Sequence, residues 1–158
     1  MQRTLPTRMR HTVYLGLGTN LGDKADNISR AIKEIEELVG KIIRRSALYD
    51  TAPWGFQSEN RFLNAVVAVE TTLSPREVLL HTQEIEKRMG RMEKSKDAVY
   101  SDRIIDIDLL IFDDLHINEP DLIVPHPLMA EREFVMKPLA EIADIHEIER
   151  IIQRTSEQ

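Results

Sequence analysis

Ser101-Asp102-Arg103-Ile104-Ile105-Asp106-Ile107-Asp108-Leu109-Leu110-Ile111-Phe112 becomes apolar and β-branched from Ile104 on, with no Gly or Pro to break it. Such a run reads as a buried strand. Residues i and i+2 of a strand share a face. Asp106 and Asp108 therefore stand side by side, with Ile105, Ile107 and Leu109 on the other face. Like charges held that close repel and are costly to bury. A cation is called for, and a divalent metal that also shares a phosphate is the natural one. Two simpler readings stay open: a solvent-facing edge strand, or one protonated carboxyl bonded to the other. D-x-D alone names no reaction.

Moving outward, the segment before the strand is basic. Lys87, Arg88, Arg91, Lys94, Lys96 and Arg103 stand against Glu93, Asp97 and Asp102, a local excess of +3. A metal-nucleotide complex suits a basic loop beside an acidic site, although a merely solvated loop has the same composition. Upstream, Ser74-Pro75-Arg76-Glu77 is a capping box with Pro at the first helical position. The helix it opens is expected to run to about Met89, with Gly90 closing it. Phe62 to Thr71 reads as a strand, and so does Lys41 to Tyr49. Asp26 to Val39 has helical periodicity in Ile28, Ala31, Ile32, Ile35, Leu38 and Val39, with Gly40 at its end. His11 to Leu17 is a first strand. Downstream, Asp113-Asp114 turns into a short strand, Leu115 to Asn118, and Pro125-His126-Pro127 breaks the chain. Short helices are expected from about Leu128 and about Pro138, and a polar, weakly helical tail beyond Asp144. The order strand, helix, two strands, helix, strand predicts an α+β fold of ferredoxin-like type: an antiparallel sheet with helices packed on it and appended strands.

Gly16-Leu17-Gly18-Thr19-Asn20-Leu21-Gly22 follows a strand and looks at first like a dinucleotide fingerprint. Its spacing is G-x-G-x-x-x-G, not G-x-G-x-x-G, and the strands after the helix read as antiparallel. The glycines are better explained by a tight turn and close backbone approach.

The whole chain bounds the answer. Its 158 residues fit one domain, expected over 12–158 after a flexible N-terminal arm, 1–11. The arm carries Arg3, Arg8 and Arg10 and lacks the apolar core of a secretory signal. No apolar stretch approaches the roughly 20 residues of a membrane span. Without cysteine there is neither a disulfide scaffold nor a thiolate metal site, which suits a cytoplasmic protein. A net charge of -6 argues against general nucleic-acid binding.

Other residue groups carry possible chemistry. Phe62 and Asn64 share a strand face, an aromatic ring beside an amide, which suits a flat heterocycle stacked and paired at its edge. A core Phe beside a strand-end Asn would look the same. Gln83 and Glu86 share a helix face. His126, held between prolines, has Arg132 and Phe134 downstream and could meet phosphate, or it is structural.

Together these groups resemble the family of 6-hydroxymethyl-7,8-dihydropterin pyrophosphokinases of folate biosynthesis. The resemblance runs from about Thr12 to Ile142. Its carriers are Gly18-Thr19-Asn20-Leu21-Gly22, Phe62-Leu63-Asn64-Ala65, His81-Thr82-Gln83-Glu84-Ile85-Glu86, Gly90-Arg91, Arg103-Ile104-Ile105-Asp106-Ile107-Asp108, Pro125-His126-Pro127 and Arg132-Glu133-Phe134-Val135. It implies transfer of the β,γ-pyrophosphoryl group of ATP to the pterin hydroxymethyl oxygen, with AMP leaving. It also implies that Asp106 and Asp108 hold two magnesium ions bridging the phosphates. Arg91 and Arg103 resemble the arginines that meet the transferring group. Gln83, Glu86, Lys94, Tyr100, Leu109, His126 and Arg132 fall at the ATP site. Thr51, Ala52, Trp54, Phe62, Asn64, Asp106 and Phe134 fall at the pterin site, with the rings of Phe62 and Phe134 on either side of the substrate. A monomer without nucleic-acid or membrane partners is expected. The chain departs from the family's pattern at Phe62, where some members have Tyr, at Glu93 and Asp121, where basic residues are expected, and at Tyr100, where Trp is. A non-catalytic ligand-sensing module would leave the Asp pair, Arg103 and His126 without a use. A metal-dependent phosphoesterase would need a water activator, for which His126 is the one obvious candidate.

Overall fold

The computed structural model describes residues 9–53, 59–90 and 103–156. Trp54, Arg91, Lys94 and Tyr100, together with the rest of the basic loop up to Asp102, lie outside the described residues.

The first strand, β1 (His11–Thr19), leads into helix α1 (Lys24–Leu38). Asp23 caps α1 by accepting from the Asp26 N–H. Next come β2 (Lys41–Arg45), β3 (Tyr49–Thr51) and β4 (Phe62–Thr71). Helix α2 (Pro75–Arg88) starts with the expected capping box, both hydrogen bonds of which form between Ser74 and Glu77. The chain then returns as β5 (Asp106–Phe112). The sheet order is β2-β4-β1-β5, every pairing antiparallel, with β3 also paired to β4. This is the ferredoxin-like arrangement, with β1 and β4 at the centre.

Strand alternation divides the interior into two layers. Val13, Leu15, Leu17, Ala65, Val67, Val69, Ile107 and Leu109 pack beneath α1 and α2. Tyr14, Val66, Ala68 and Leu110 face the other way. A β-bulge opposite Tyr14 and Leu15 turns Ile111 to the same side as Leu110, so strict alternation in β5 ends there.

Several expectations need correction. The segment Lys41 to Tyr49 is two strands. Ser46 interrupts it, donating its N–H to the Val66 carbonyl and accepting the Val66 N–H on its own hydroxyl. After the small strand β6 (Ile117–Glu119) comes its hairpin partner β7 (Leu122–Val124), which the sequence reading missed. A 3₁₀ turn (Met129–Glu131) precedes α3 (Glu133–Ile142), which begins before Pro138 rather than at it. Burial of Val135, Leu139 and Ile142 along one face outweighs the N–H that Pro138 lacks. The tail is a full amphipathic helix, α4 (Ile145–Ser156), with Ile148 and Ile151 buried in the second layer. His11 opens β1, where the strand reading puts it. Its Nδ1 lies 2.7 Å from an Asp113 carboxylate oxygen and its ring tilts against Phe112. Among the described residues no helix is long and apolar enough to cross a membrane.

Candidate active site

The cleft sits on the α3 side of the sheet, with Phe134 and Val135 from the first turn of α3 on its wall. Three i/i+2 pairs on adjacent strands build its floor. Gly18 pairs with Asn64 on one side and Asp106 on the other, and Gly16 pairs with Val66 and Asp108. Phe62 follows Asn64 outward along β4. A Cβ on Gly18 would lie 3.1 Å from Asn64 Oδ1, and one on Gly16 would lie 3.4 Å from Leu110. The missing side chains leave a flat, open backbone surface between an amide and a carboxylate pair. About 550 Å³ of empty space lies over it, counting its open mouth. The walls include Thr51, Ala52, Phe62, Asn64, Arg103, Asp106, Asp108, Arg132 and Phe134.

The break at Ser46 matters here because it lets β3 run beside the start of β4. Thr51 is thereby paired with Phe62, and its Oγ1 accepts from Asn64 Nδ2 at 2.6 Å. This fixes the amide with its Oδ1 toward Gly18.

Two arginine–phenylalanine pairs flank the floor. The Arg103 guanidinium lies 5.8 Å from the Phe62 ring centre, and that of Arg132 lies 5.6 Å from the Phe134 ring centre. Each arginine also faces one aspartate. Arg103 Nη1 is 3.2 Å from Asp106 Oδ2, and Arg132 Nη1 is 3.8 Å from Asp108 Oδ2. Arg132 is only 5% exposed, so its charge acts in a poorly solvated setting.

Asp108 stays perturbed despite these arginines. Burial pushes the Asp108 carboxyl up to about 8, and the Asp106 charge adds to the effect while Arg132 opposes it. Its side chain keeps 29% of its surface open to the cleft, so an incoming cation can reach it. His126 is held the opposite way. Burial lowers its imidazole to about 4, with the Arg132 charge contributing, so it is neutral near pH 7. Its Nδ1 accepts from the Leu128 N–H at 3.3 Å, which leaves the proton on Nε2 as a donor.

Not every expected residue meets the cleft. Leu109 turns into the core beneath α1 and α2, so its side chain faces away. Glu86 is 3% exposed, and its Oε2 accepts from the Ile107 N–H at 2.9 Å, binding the strand rather than lining the cleft. Gln83 is half-buried on the same helix and, like His126, is not among the lining residues. Asp121 pairs with Arg76 at 2.7 Å. Gly16, Leu17, Gly18, Ala65 and Val135 line the cleft but were not expected to. For the glycines the signal was present: two glycines at i and i+2 in a strand open a gap on one face.

Residues 14–144 match the family model described as 7,8-dihydro-6-hydroxymethylpterin-pyrophosphokinase. The chain belongs to this family. Among this pyrophosphokinase family's curated members, the 2-amino-4-hydroxy-6-hydroxymethyldihydropteridine pyrophosphokinase of Porphyromonas gingivalis is 46% identical over 132 residues, 83% of this chain and 90% of that one. The enzyme of the same description from Aquifex aeolicus is 43% identical over 141 residues, 88% and 86% of the two chains. Among solved structures, wild-type Plasmodium falciparum HPPK-DHPS with SDX-DHP is similar with a TM-score of 0.66 at 19% identity. That match covers 83% of this chain but 40% of the longer one, and it bears on the fold.

Proposed function

We propose that this pyrophosphokinase-family chain transfers the β,γ-pyrophosphoryl group of ATP to the hydroxymethyl oxygen of 6-hydroxymethyl-7,8-dihydropterin. The hydroxyl oxygen attacks Pβ, the bond from Pβ to the Pα–Pβ bridging oxygen breaks, AMP leaves and the hydroxyl proton is lost. The observation that carries this reading is the row Asn64–Gly18–Asp106 across three strands. It sets an edge-pairing amide, a flat floor and a cation-seeking carboxylate in one line, so a heterocycle lying on Gly18 points its substituent at the aspartates.

The donor set suits magnesium. Asp106 and Asp108 are hard oxygen ligands on one face, and burial makes the charged form of Asp108 costly without a further cation. Among the described residues no group of three or more His, Asp or Glu could hold a metal by itself. Two carboxylates that leave the remaining positions to phosphate and water are how magnesium is usually bound with nucleotides. When bound, two magnesium ions would neutralise charge on the phosphates.

The protein's own groups do the rest. Phe62 and Phe134 stack on the pterin, and Asn64 and the Thr51–Ala52 segment pair with its edge. Arg103 and Arg132 offer fixed cations to the phosphates without having to reorganise. His126 donates its Nε2 proton to a phosphate oxygen. Arg91, Lys94, Tyr100 and Trp54 keep the roles that the family resemblance implies, Gln83 and Glu86 support the nucleotide end, and the backbone of Leu109 borders it. The working unit is a cytoplasmic monomer.

The test is to incubate the protein with ATP and magnesium, with and without the pterin. AMP formed only with pterin supports the proposal. ADP or phosphate released without pterin would instead mean hydrolysis, and no turnover would mean a binding module.

A further inference from the structure

The turn after β1 holds a residue that the reaction above does not use. Asn20 is 2% exposed and sits between Gly18 and Gly22, whose φ of +71° makes the turn possible. Its backbone N–H donates to the Arg103 carbonyl at 3.0 Å, and its Oδ1 accepts the Arg103 N–H at 2.7 Å. Both backbone groups of Arg103 are thus held by one residue. The Nδ2 of the same amide donates to the Asn60 carbonyl at 3.2 Å, two residues before Phe62. Asn20 is anchored in its turn. The next helix reaches back through Asn27, whose Nδ2 donates to Thr19 Oγ1 at 3.1 Å and to the Leu21 carbonyl at 2.8 Å.

We infer that Asn20 is a positioning residue that fixes Arg103 and the approach to Phe62 relative to each other, so that the phosphate-side cation and the ring-side wall meet across one cleft. The inference rests on the reaction proposed above. Arg103 touches both halves, facing Asp106 at 3.2 Å and lying 5.8 Å from the Phe62 ring centre. A long arginine whose backbone drifts cannot return its guanidinium to one place. Clamping its N–H and C=O removes that freedom before any substrate arrives. The residue type follows from the bonds. An acceptor is needed for the Arg103 N–H and a donor for the Asn60 carbonyl, and an asparagine amide supplies both at one length. Aspartate keeps the acceptor and loses the donor. Serine is too short to make both contacts from the same backbone position.

The test is a double-mutant cycle between Asn20 and Arg103 with full steady-state kinetics. Asn20→Ala is expected to lower kcat at least tenfold and to raise the pterin KM, with the ATP KM changed less than threefold. In an Arg103→Ala background the same substitution should lower kcat by less than threefold, because the group it positions is already gone. The pterin KM should still rise, through Asn60. Asn20→Asp should recover most of kcat but not the pterin KM. Running the cycle in parallel with Asn20→Ser keeps it readable if the alanine variant does not fold. Equal factors of kcat loss in both backgrounds would overturn the inference, since a general loosening of the fold multiplies through. If Arg103→Ala alone keeps the wild-type kcat, the reaction site is misassigned and the inference falls with it. That outcome is distinct, because it needs no Asn20 variant to be seen.

Discussion

The Glu86 carboxylate accepts the backbone N–H of Ile107 at 2.9 Å, and Ile107 is the residue between the two aspartates of the cleft. A buried side chain on α2 therefore completes the outer edge of β5 where that strand presents its charges. Further along the same edge, the His126 N–H bonds the Leu110 carbonyl at 2.8 Å. Glu86→Ala should cost about 1–3 kcal/mol of stability, because it leaves a buried N–H unsatisfied. Glu86→Gln keeps an acceptor and should lose less. Urea unfolding beside ATP titration checks this. A tenfold loss of ATP affinity at unchanged stability would instead make Glu86 a direct nucleotide contact.

Asp106→Asn or Asp108→Asn should each cut turnover by orders of magnitude, since each removes a ligand charge from the place where phosphate charge must be neutralised. Folding should survive, because one like charge is taken away from its neighbour. Near-normal rates in both variants at saturating magnesium would remove the metal assignment.

The raised Asp108 carboxyl also makes a prediction about pH. A proton binds it more tightly in the folded protein, about 8, than at its ordinary value of 3.8. Its effect on stability is therefore most favourable below pH 4 and is lost as pH rises through 8. In a chelator, Asp108→Asn should raise the melting temperature more at pH 8 than at pH 5. A difference that does not change with pH would show that the carboxyl is not held in its protonated form. His126 runs the other way. Its folded value of about 4 lies below 6.5, so its contribution is present above pH 6.5 and lost as pH falls toward 4.

The pterin pocket can be probed by filling it and by emptying it. Gly18→Ala places a methyl 3.1 Å from Asn64 Oδ1 and should weaken pterin binding far more than Gly16→Ala, whose methyl meets Leu110 at 3.4 Å. Phe62→Ala and Phe134→Ala should each cost about 1–3 kcal/mol of pterin affinity if stacking carries the contact. ATP affinity should change little. Asn64→Asp keeps its shape, and the Thr51 hydroxyl can turn to donate to it, so its loss of pterin affinity would report the missing amide donor. Isothermal titration with each substrate separately reads all five variants. Parallel loss of both affinities would mark these residues as framework.

Much of this was legible because strand periodicity is strict. Asp106 with Asp108 and Phe62 with Asn64 could be placed on shared faces from spacing alone, and Ser74 with Glu77 announced a helix start. Other features depend on contacts between distant segments. Nothing local in Lys41 to Tyr49 shows that Ser46 will break the strand, since its partner is Val66. Pro138 looked like a helix start because the pull of Val135 and Leu139 toward the sheet is tertiary. The tail looked polar until Ile145, Ile148, Ile151 and Ile152 met the second layer. Glu86 reads as a surface residue on its own helix, and only the arrival of β5 shows what its carboxylate is for.

The most direct test of pyrophosphoryl transfer follows the label from ATP carrying a marked β-phosphorus, with magnesium and 6-hydroxymethyl-7,8-dihydropterin present. The label is expected to move to the pterin as its diphosphate, with one unlabelled AMP formed for each product. Label remaining in ADP, or appearing as free phosphate or pyrophosphate without modified pterin, would contradict pyrophosphoryl transfer.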